Sequence, residues 1–199
     1  MSKLTDGFYR QHDVVGVAKA LLGKKLCTQT GDEFTAAIIV ETEAYNGVVD
    51  RASHAYGGRR TVRTEVMYGQ GGLAYVYLCY GIHYLFNVVT SIEDDPLAVL
   101  VRAVAPVEGI DIMLRRRKMD RPVPRLSAGP GLVTQALGIN KAHNGLSLLG
   151  DQVWIEDTGI SLPAEAIVST TRVGVDYAAE DALLPYRFYI RDNPYVSKK

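Results

Sequence analysis

Two carboxylates stand two positions apart in the run Ile38-Ile39-Val40-Glu41-Thr42-Glu43-Ala44-Tyr45, and a histidine, His54, follows close behind. A carboxylate near the end of a buried strand, beside a loop, is a reasonable general base. In a regular strand Glu41 and Glu43 share a face, so strand geometry alone does not choose between them. A salt-bridged or solvent-facing glutamate is the alternative reading of either. A second segment, Tyr75-Val76-Tyr77-Leu78-Cys79-Tyr80-Gly81, sets tyrosines in alternation before a glycine, and Tyr supplies 12 of the 199 residues. Period two puts Tyr75 and Tyr77 on one face, as cross-strand packing or as ring walls. Tyr80 falls at the turn, where an aromatic on a protruding hairpin can wedge between base pairs. A carboxylate, an imidazole and ring faces around one pocket suit a flat, electron-poor ligand, and a nucleobase is the leading candidate.

Other chemistries fit less well. The four histidines, at 12, 54, 83 and 143, show no metal-ligand spacing, and Cys27 and Cys79 lie far apart. Gly69-Gln70-Gly71-Gly72 precedes a strand instead of joining a strand to a helix, which is not the arrangement of a phosphate loop. No serine occupies a nucleophile elbow. Net charge is zero, with 22% charged and 47% hydrophobic residues, ordinary for a globular protein. The charges are unevenly spread: Arg59, Arg60 and Arg63 cluster, as do Arg115, Arg116, Arg117, Lys118, Arg121 and Arg125. A neutral protein with a basic face can still hold a phosphate backbone. Two cysteines make a poor disulfide framework, the start of the chain lacks a secretory pattern, and no apolar run is long enough to span a bilayer. A cytoplasmic protein is expected.

The elements that must position these residues can be read from pattern. Asp13 caps a helix over Val14 to Leu22, closed by Gly23. Leu26 to Gln29 and Ala36 to Glu43 read as strands joined by a turn at 30–32, and Asn46 to Gly58 as a loop. Leu73 to Tyr80 and Ile82 to Thr90 form a hairpin with Tyr80, Gly81 and Ile82 at its tip. Leu97 to Ala103 reads as a buried strand ending near Arg102. Pro106 is expected to open a helix through Arg117 with Val107, Ile110, Met113 and Leu114 inward, and Pro130 a short helix through Leu137. Val153 to Glu156, Ile167 to Val175 and Tyr186 to Arg191 read as strands. This mixed order favours a single α+β domain over 1–199, with a curved, largely antiparallel sheet, flanking helices and a protruding hairpin.

Taken in order, the motifs resemble the alkyladenine DNA glycosylase family, the mammalian-type 3-methyladenine DNA glycosylases. The matching segments are Ile39-Val40-Glu41-Thr42-Glu43-Ala44-Tyr45, His54, Gly57-Gly58-Arg59 with Thr61 and Arg63, Tyr75-Val76-Tyr77, Tyr80-Gly81 and Asn87. They continue through Val99-Leu100-Val101-Arg102-Ala103, Gly129-Pro130, Gln135-Ala136-Leu137-Gly138-Ile139-Asn140-Lys141, Arg172-Val173-Gly174-Val175 and Arg187-Phe188-Tyr189. The match is colinear over nearly the whole chain. It implies Glu43 as the base that activates water, with Arg102 and the backbone carbonyl of Val173 helping to hold that water. It implies Tyr45, His54 and Tyr77 as walls around an extruded base, and Asn87 as a pocket residue that screens purines. Tyr80 would fill the gap left in the duplex, and Arg59, Thr61 and Arg63 would lie near the DNA backbone. Ile82, His83, Val62 and Leu132 depart from the family pattern beside the wedge and along the backbone contacts.

The resemblance further implies base-excision repair by a monofunctional enzyme. It would flip alkylated or deaminated purines (3-methyladenine, 7-methylguanine, hypoxanthine, ethenoadenine) out of duplex DNA and release them by hydrolysis. No cofactor and no metal are expected, the partner is damaged duplex DNA in the nucleoid, and a monomer of the compact bacterial form is expected. Two rival readings share the residues. A nucleosidase would use the carboxylate on free nucleosides, and a non-catalytic damaged-DNA binding module would not need Glu43.

Overall fold

The computed structural model describes residues 2–198. In chain order its strands are β1 (Ser2–Lys3), β2 (Lys25–Thr30), β3 (Glu33–Tyr45), β4 (Ala74–Cys79), β5 (His83–Thr90), β6 (Leu97–Glu108), β7 (Val153–Asp157), β8 (Ile167–Thr170) and β9 (Arg187–Ile190). The helices are α1 (Asp6–Tyr9), α2 (Val14–Ala20), α3 (Ile110–Arg117) and α4 (Pro130–Leu137). Every strand pairing is antiparallel, in the order β1-β7-β2-β3-β6-β5-β4, with β9 added to β3 and β8 to β9. The expected single α+β domain with a curled antiparallel sheet is what forms.

β3 organises the molecule. Along one edge it pairs with β6 from Ala36 to Tyr45. Along the other, Glu33 to Ile38 pair with β2, whereas Glu41 to Glu43 pair with β9. The sheet therefore opens at the middle of β3, and its second half, the one with the carboxylates, faces a different neighbour. Two register shifts against β6 fall on either side of Glu41. Bulges of this kind bend a strand and re-aim its side chains.

Helices fasten this half of the sheet. Asp13 caps α2 by accepting from the Gly16 N–H at 2.8 Å, and Val14, Val17 and Ala18 bury one helical stripe. Thr42 Oγ1 donates to the Ala18 carbonyl at 2.8 Å, tying α2 to the strand between the two glutamates. α4 starts at Pro130 and closes on Gly138 at φ +71°, as its end signals require. It lies so close to the tip of the β4–β5 hairpin that a Cβ on Gly131 would come within 2.8 Å of the His83 ring. Phe86, Phe188, Leu26, Ile39 and Leu137 are fully buried between sheet and helices. Each such side chain contributes about 1.5–3 kcal/mol of apolar burial.

Several sequence expectations move. The helix expected from Pro106 begins only at Ile110: β6 runs on through Pro106, which sits opposite Ala37 beside a register shift, and Gly109 at φ +66° breaks the strand. β5 pairs with β6 only as far as Leu100, so the missing Pro106 N–H costs no ladder bond. Val107 is consequently 43% exposed instead of inward, while Met113 is buried as expected. β3 extends two residues beyond Glu43. The strand expected over 167–175 stops at Thr170, since Arg172 is drawn into ion pairing and Gly174 turns at φ +75°.

Candidate active site

β3 brings Glu41 and Glu43 into the interior, both without exposed surface. The bulge on β6 falls at Arg102, between the partners of Glu41 and Thr42, and it lets one guanidinium reach both acids. Its Nε donates to Glu41 Oε1 at 3.1 Å, and its Nη1 lies 3.4 Å from Glu43 Oε1. Burial pulls the Arg102 pKa down, but the two carboxylates outweigh it and raise the value.

The two glutamates then differ in their partners. Glu41 accepts from Arg102, from Arg187 Nε at 2.7 Å, and from the Ser197 N–H and hydroxyl at 2.7 and 3.0 Å. Two cations and the C-terminal segment use up its lone pairs. Glu43 accepts from the Val173 N–H at 2.8 Å on Oε1 and from the Tyr45 hydroxyl at 2.9 Å on Oε2. Every one of these neighbours donates to the carboxylate or attracts it. Val173 thus touches Glu43 through its amide N–H. Burial, and next the Glu43 charge, raise the Tyr45 pKa well above the usual tyrosine value, so the phenol stays a donor.

Tyr45, Arg102 and Val173 line a cleft of about 620 Å³, with Tyr77, His54, Arg59, Arg63 and Tyr80 around its mouth. Behind it a compartment of about 40 Å³ is closed by Tyr75, Asn87, Met67 and Ala98. Glu43 itself lies directly behind the wall formed by its own partners. Tyr75 and Tyr77, on one face of β4, stand with ring centres 5.3 Å apart, and His54 meets Tyr77 edge-on at 4.7 Å. Asn87, opposite Tyr75 on β5, donates to the Tyr75 carbonyl at 3.1 Å.

His54 is held by two partners. Its Nε2 faces Arg63 Nη2 at 3.4 Å, and because a guanidinium only donates, Nδ1 carries the proton and donates to Tyr75 Oη at 2.9 Å. Burial, followed by the charges of Arg63 and Arg59, pushes the His54 pKa down to about 4. The ring is neutral at ordinary pH.

The arginine cluster expected from sequence divides. Arg60 pairs with Glu65 and Asp94 and is spent on the loop itself. Arg59 and Arg63 meet no carboxylate among the described residues, and the Arg63 guanidinium lies 4.8 Å from the centre of the Tyr77 ring. Thr61 is turned into a tight loop with Thr64, its N–H donating to Thr64 Oγ1 at 2.8 Å, and it does not line the cleft. Tyr80 is 90% exposed at the hairpin tip. Both Tyr80 and Gly81 have positive φ, +50° and +70°, the requirement of a mirror-image hairpin turn. For a tyrosine that conformation costs about 1–3 kcal/mol.

Sequence reading assigned no role to four contributors. Tyr177 lines both compartments and donates to the Ala52 carbonyl at 3.1 Å. Leu85 and Leu100 add apolar lining to the cleft. Arg172, wholly buried, grips Asp50 with both Nη atoms and donates to the Ala44 carbonyl at 3.0 Å, which fixes Val173 beside Glu43. A Tyr in an irregular turn and two leucines in apolar runs carry no local signal. The Asp50–Arg172 pair joins positions 122 residues apart.

Comparison with known proteins identifies the family. The methylpurine-DNA glycosylase family matches residues 7–194. A protein of Chlamydia felis named "Putative 3-methyladenine DNA glycosylase" is 47% identical over 188 residues, covering 94% of this chain and 95% of its own length. Proteins of the same name from Desulfitobacterium hafniense and Bacillus cereus are 43% and 45% identical, over 100% and 96% of this chain. The chain belongs to the methylpurine-DNA glycosylase family. It is accordingly a DNA glycosylase, a hydrolase of N-glycosyl bonds that serves DNA repair.

Proposed function

We propose that this protein extrudes an alkylated or deaminated purine from duplex DNA and cleaves its glycosidic bond with water held by Glu43. The observation that carries the reading is the setting of Glu43: a buried carboxylate with one oxygen on a backbone N–H and the other on the hydroxyl of a cleft-lining tyrosine.

A base inside a duplex is unreachable, and turning it out costs a few kcal/mol of stacking and pairing. Tyr80 offsets part of that by filling the vacated stack, which gives a use to an exposed aromatic in a strained turn. The base enters between Tyr45, Tyr77 and His54, displacing Arg63 from the Tyr77 ring. A purine alkylated at N3 or N7 is cationic, and a cation over a tyrosine face gains about 0.5–2 kcal/mol. Neutral His54 adds no repulsion. Asn87, held against the Tyr75 carbonyl, presents a fixed polar edge at the back of the slot.

Bond cleavage builds positive charge on the sugar. Glu43 stabilises that charge and takes the proton of the attacking water, as in inverting glycoside hydrolysis. Its Oε2 becomes available when the Tyr45 hydroxyl lets go, a single side-chain adjustment of the kind that separates free from substrate-bound active sites. Arg102, always protonated, orients the carboxylate and does not act as base. Among the described residues no lysine lines the cleft, so base release without strand cleavage is expected.

The test is Glu43→Gln. Release of hypoxanthine or 7-methylguanine from a defined duplex should fall by about 10²–10⁴-fold, the usual worth of a general base, while lesion binding persists. Turnover within a few fold of the unmodified protein would refute the assignment, and hydrolysis of free nucleosides in preference to duplex would favour a nucleosidase.

A further inference from the structure

The second basic cluster has no part in that pocket, and the structure divides it. Arg115 and Arg116 pair with Glu33. Arg117 turns inward, its Nε and Nη2 donating to the Leu126 and Arg125 carbonyls, both at 3.2 Å, and its Nη1 to Gln135. Lys118, Arg121 and Arg125 are exposed and form no ion pair among the described residues. They border a hollow of about 340 Å³ with Met119, Val123 and Asp120, the one acid at the site.

The hollow is joined to the DNA-facing hairpin by a short chain of hydrogen bonds. His83, next to the hairpin tip, contacts Gln135 Nε2 at 3.0 Å; Gln135 accepts from Arg117; and Arg117 holds the consecutive carbonyls of Arg125 and Leu126. Along the chain, Gly129 lies four positions after Arg125, at most about 14 Å of backbone. Gly129 and Pro130 border the apolar groove beneath Tyr80 and Ile82, and Pro130 also lines the cleft. Three cations against one carboxylate thus sit within about the length of a few base-pair steps of the groove under the hairpin tip, joined to it by these hydrogen bonds.

We propose that Lys118, Arg121 and Arg125 form a second backbone-binding surface that holds phosphates of the duplex several base pairs to one side of the flipped nucleotide. The inference rests on the reading of Tyr80 as the element that enters the duplex. Its occupant is the DNA backbone because the hollow is cationic, exposed and linked by hydrogen bonds to the strand that carries that element. It carries no base-reading group, so it adds grip and register without sequence preference.

The test uses the full chain and the triple variant K118Q/R121Q/R125Q on a duplex bearing a 2′-fluorinated hypoxanthine nucleotide, which resists cleavage. Single phosphates are replaced by uncharged methylphosphonates, one position at a time. With the unmodified protein, two or three positions away from the lesion on one side should weaken binding. In the variant those positions should fall silent while positions adjoining the lesion stay sensitive, and the salt slope of log K should shrink by about 2–3 units. Identical profiles for the two proteins, or loss of sensitivity only beside the lesion, would overturn the proposal. Equal melting temperatures exclude a folding defect. Excision of ordinary hypoxanthine by the unmodified protein is scored separately, so failure of the glycosylase reading and failure of this surface are read from different measurements.

Discussion

His54 illustrates how much one residue's chemistry depends on its neighbours. Buried against Tyr77 and facing two arginines, it has its pKa pushed from the ordinary 6.5 to about 4. The native state therefore binds the imidazole proton less readily than the unfolded chain does. The stability this group contributes is fully present above pH 6.5 and is lost as pH falls from about 6.5 to about 4, by at most about 3 kcal/mol. Denaturant midpoints at pH 7, 5.5 and 4 should drop for the unmodified protein and drop less for His54→Gln. Parallel pH profiles would show that His54 is not the group responsible. In the same interval the ring stays neutral, so no imidazole titration near 6.5 is expected in the rate of base release.

At the scale of elements, the decisive device is the pair of register shifts between β3 and β6. They place Arg102 between two carboxylates and give those carboxylates different work. Glu41 is a structural anion: it joins β3 to Arg102 on β6, to Arg187 on β9 and to the C-terminal Ser197. Glu41→Gln strips the buried Arg187 of its carboxylate partner and leaves Arg102 only the more distant Glu43, and it should cost about 3–5 kcal/mol, the usual penalty for breaking a buried ion pair. Glu43→Gln leaves Arg102 still paired with Glu41, so its cost should be smaller by a factor of two or more. Thermal or denaturant unfolding of the two variants side by side decides this. If Glu43→Gln unfolds at the lower midpoint, the division of labour between the acids is wrong. The hairpin is a second such device, in which α4, packed on His83, supports a strained tip that presents an otherwise unused tyrosine.

Across the whole molecule, net charge is zero, yet the unpaired cations are not spread evenly. Arg59 and Arg63 flank the cleft and Lys118, Arg121 and Arg125 lie beyond the hairpin, while Arg60, Arg115 and Arg116 are neutralised by their own neighbours. Duplex binding should therefore depend on salt far more steeply than the net charge suggests. With roughly four to five phosphates neutralised, the slope of log K against log salt should be about −4, and about −2 if only Arg59 and Arg63 engage. Titrations between low and moderate salt measure it, and a slope shallower than −1 would remove the electrostatic account of both surfaces.

The chain's local chemistry was readable from residue order. The start of α2 and both ends of α4 followed from Asp13, Pro130 and Gly138, whereas α2 stops at Ala20, short of the expected Leu22; the hairpin followed from alternating tyrosines before Gly81, and the walls of the cleft from motifs in order along the chain. Local signals failed where a long-range partner overrode them: Pro106 opened no helix because a sheet neighbour kept β6 extended, and the strand through Val175 broke because Arg172 was drawn to Asp50. The choice between Glu41 and Glu43 lay wholly beyond local reading. Two acids at strand spacing are equivalent until bulges, a second strand neighbour and distant arginines distinguish them, and those contacts exist only once residues far apart in the chain have been packed together.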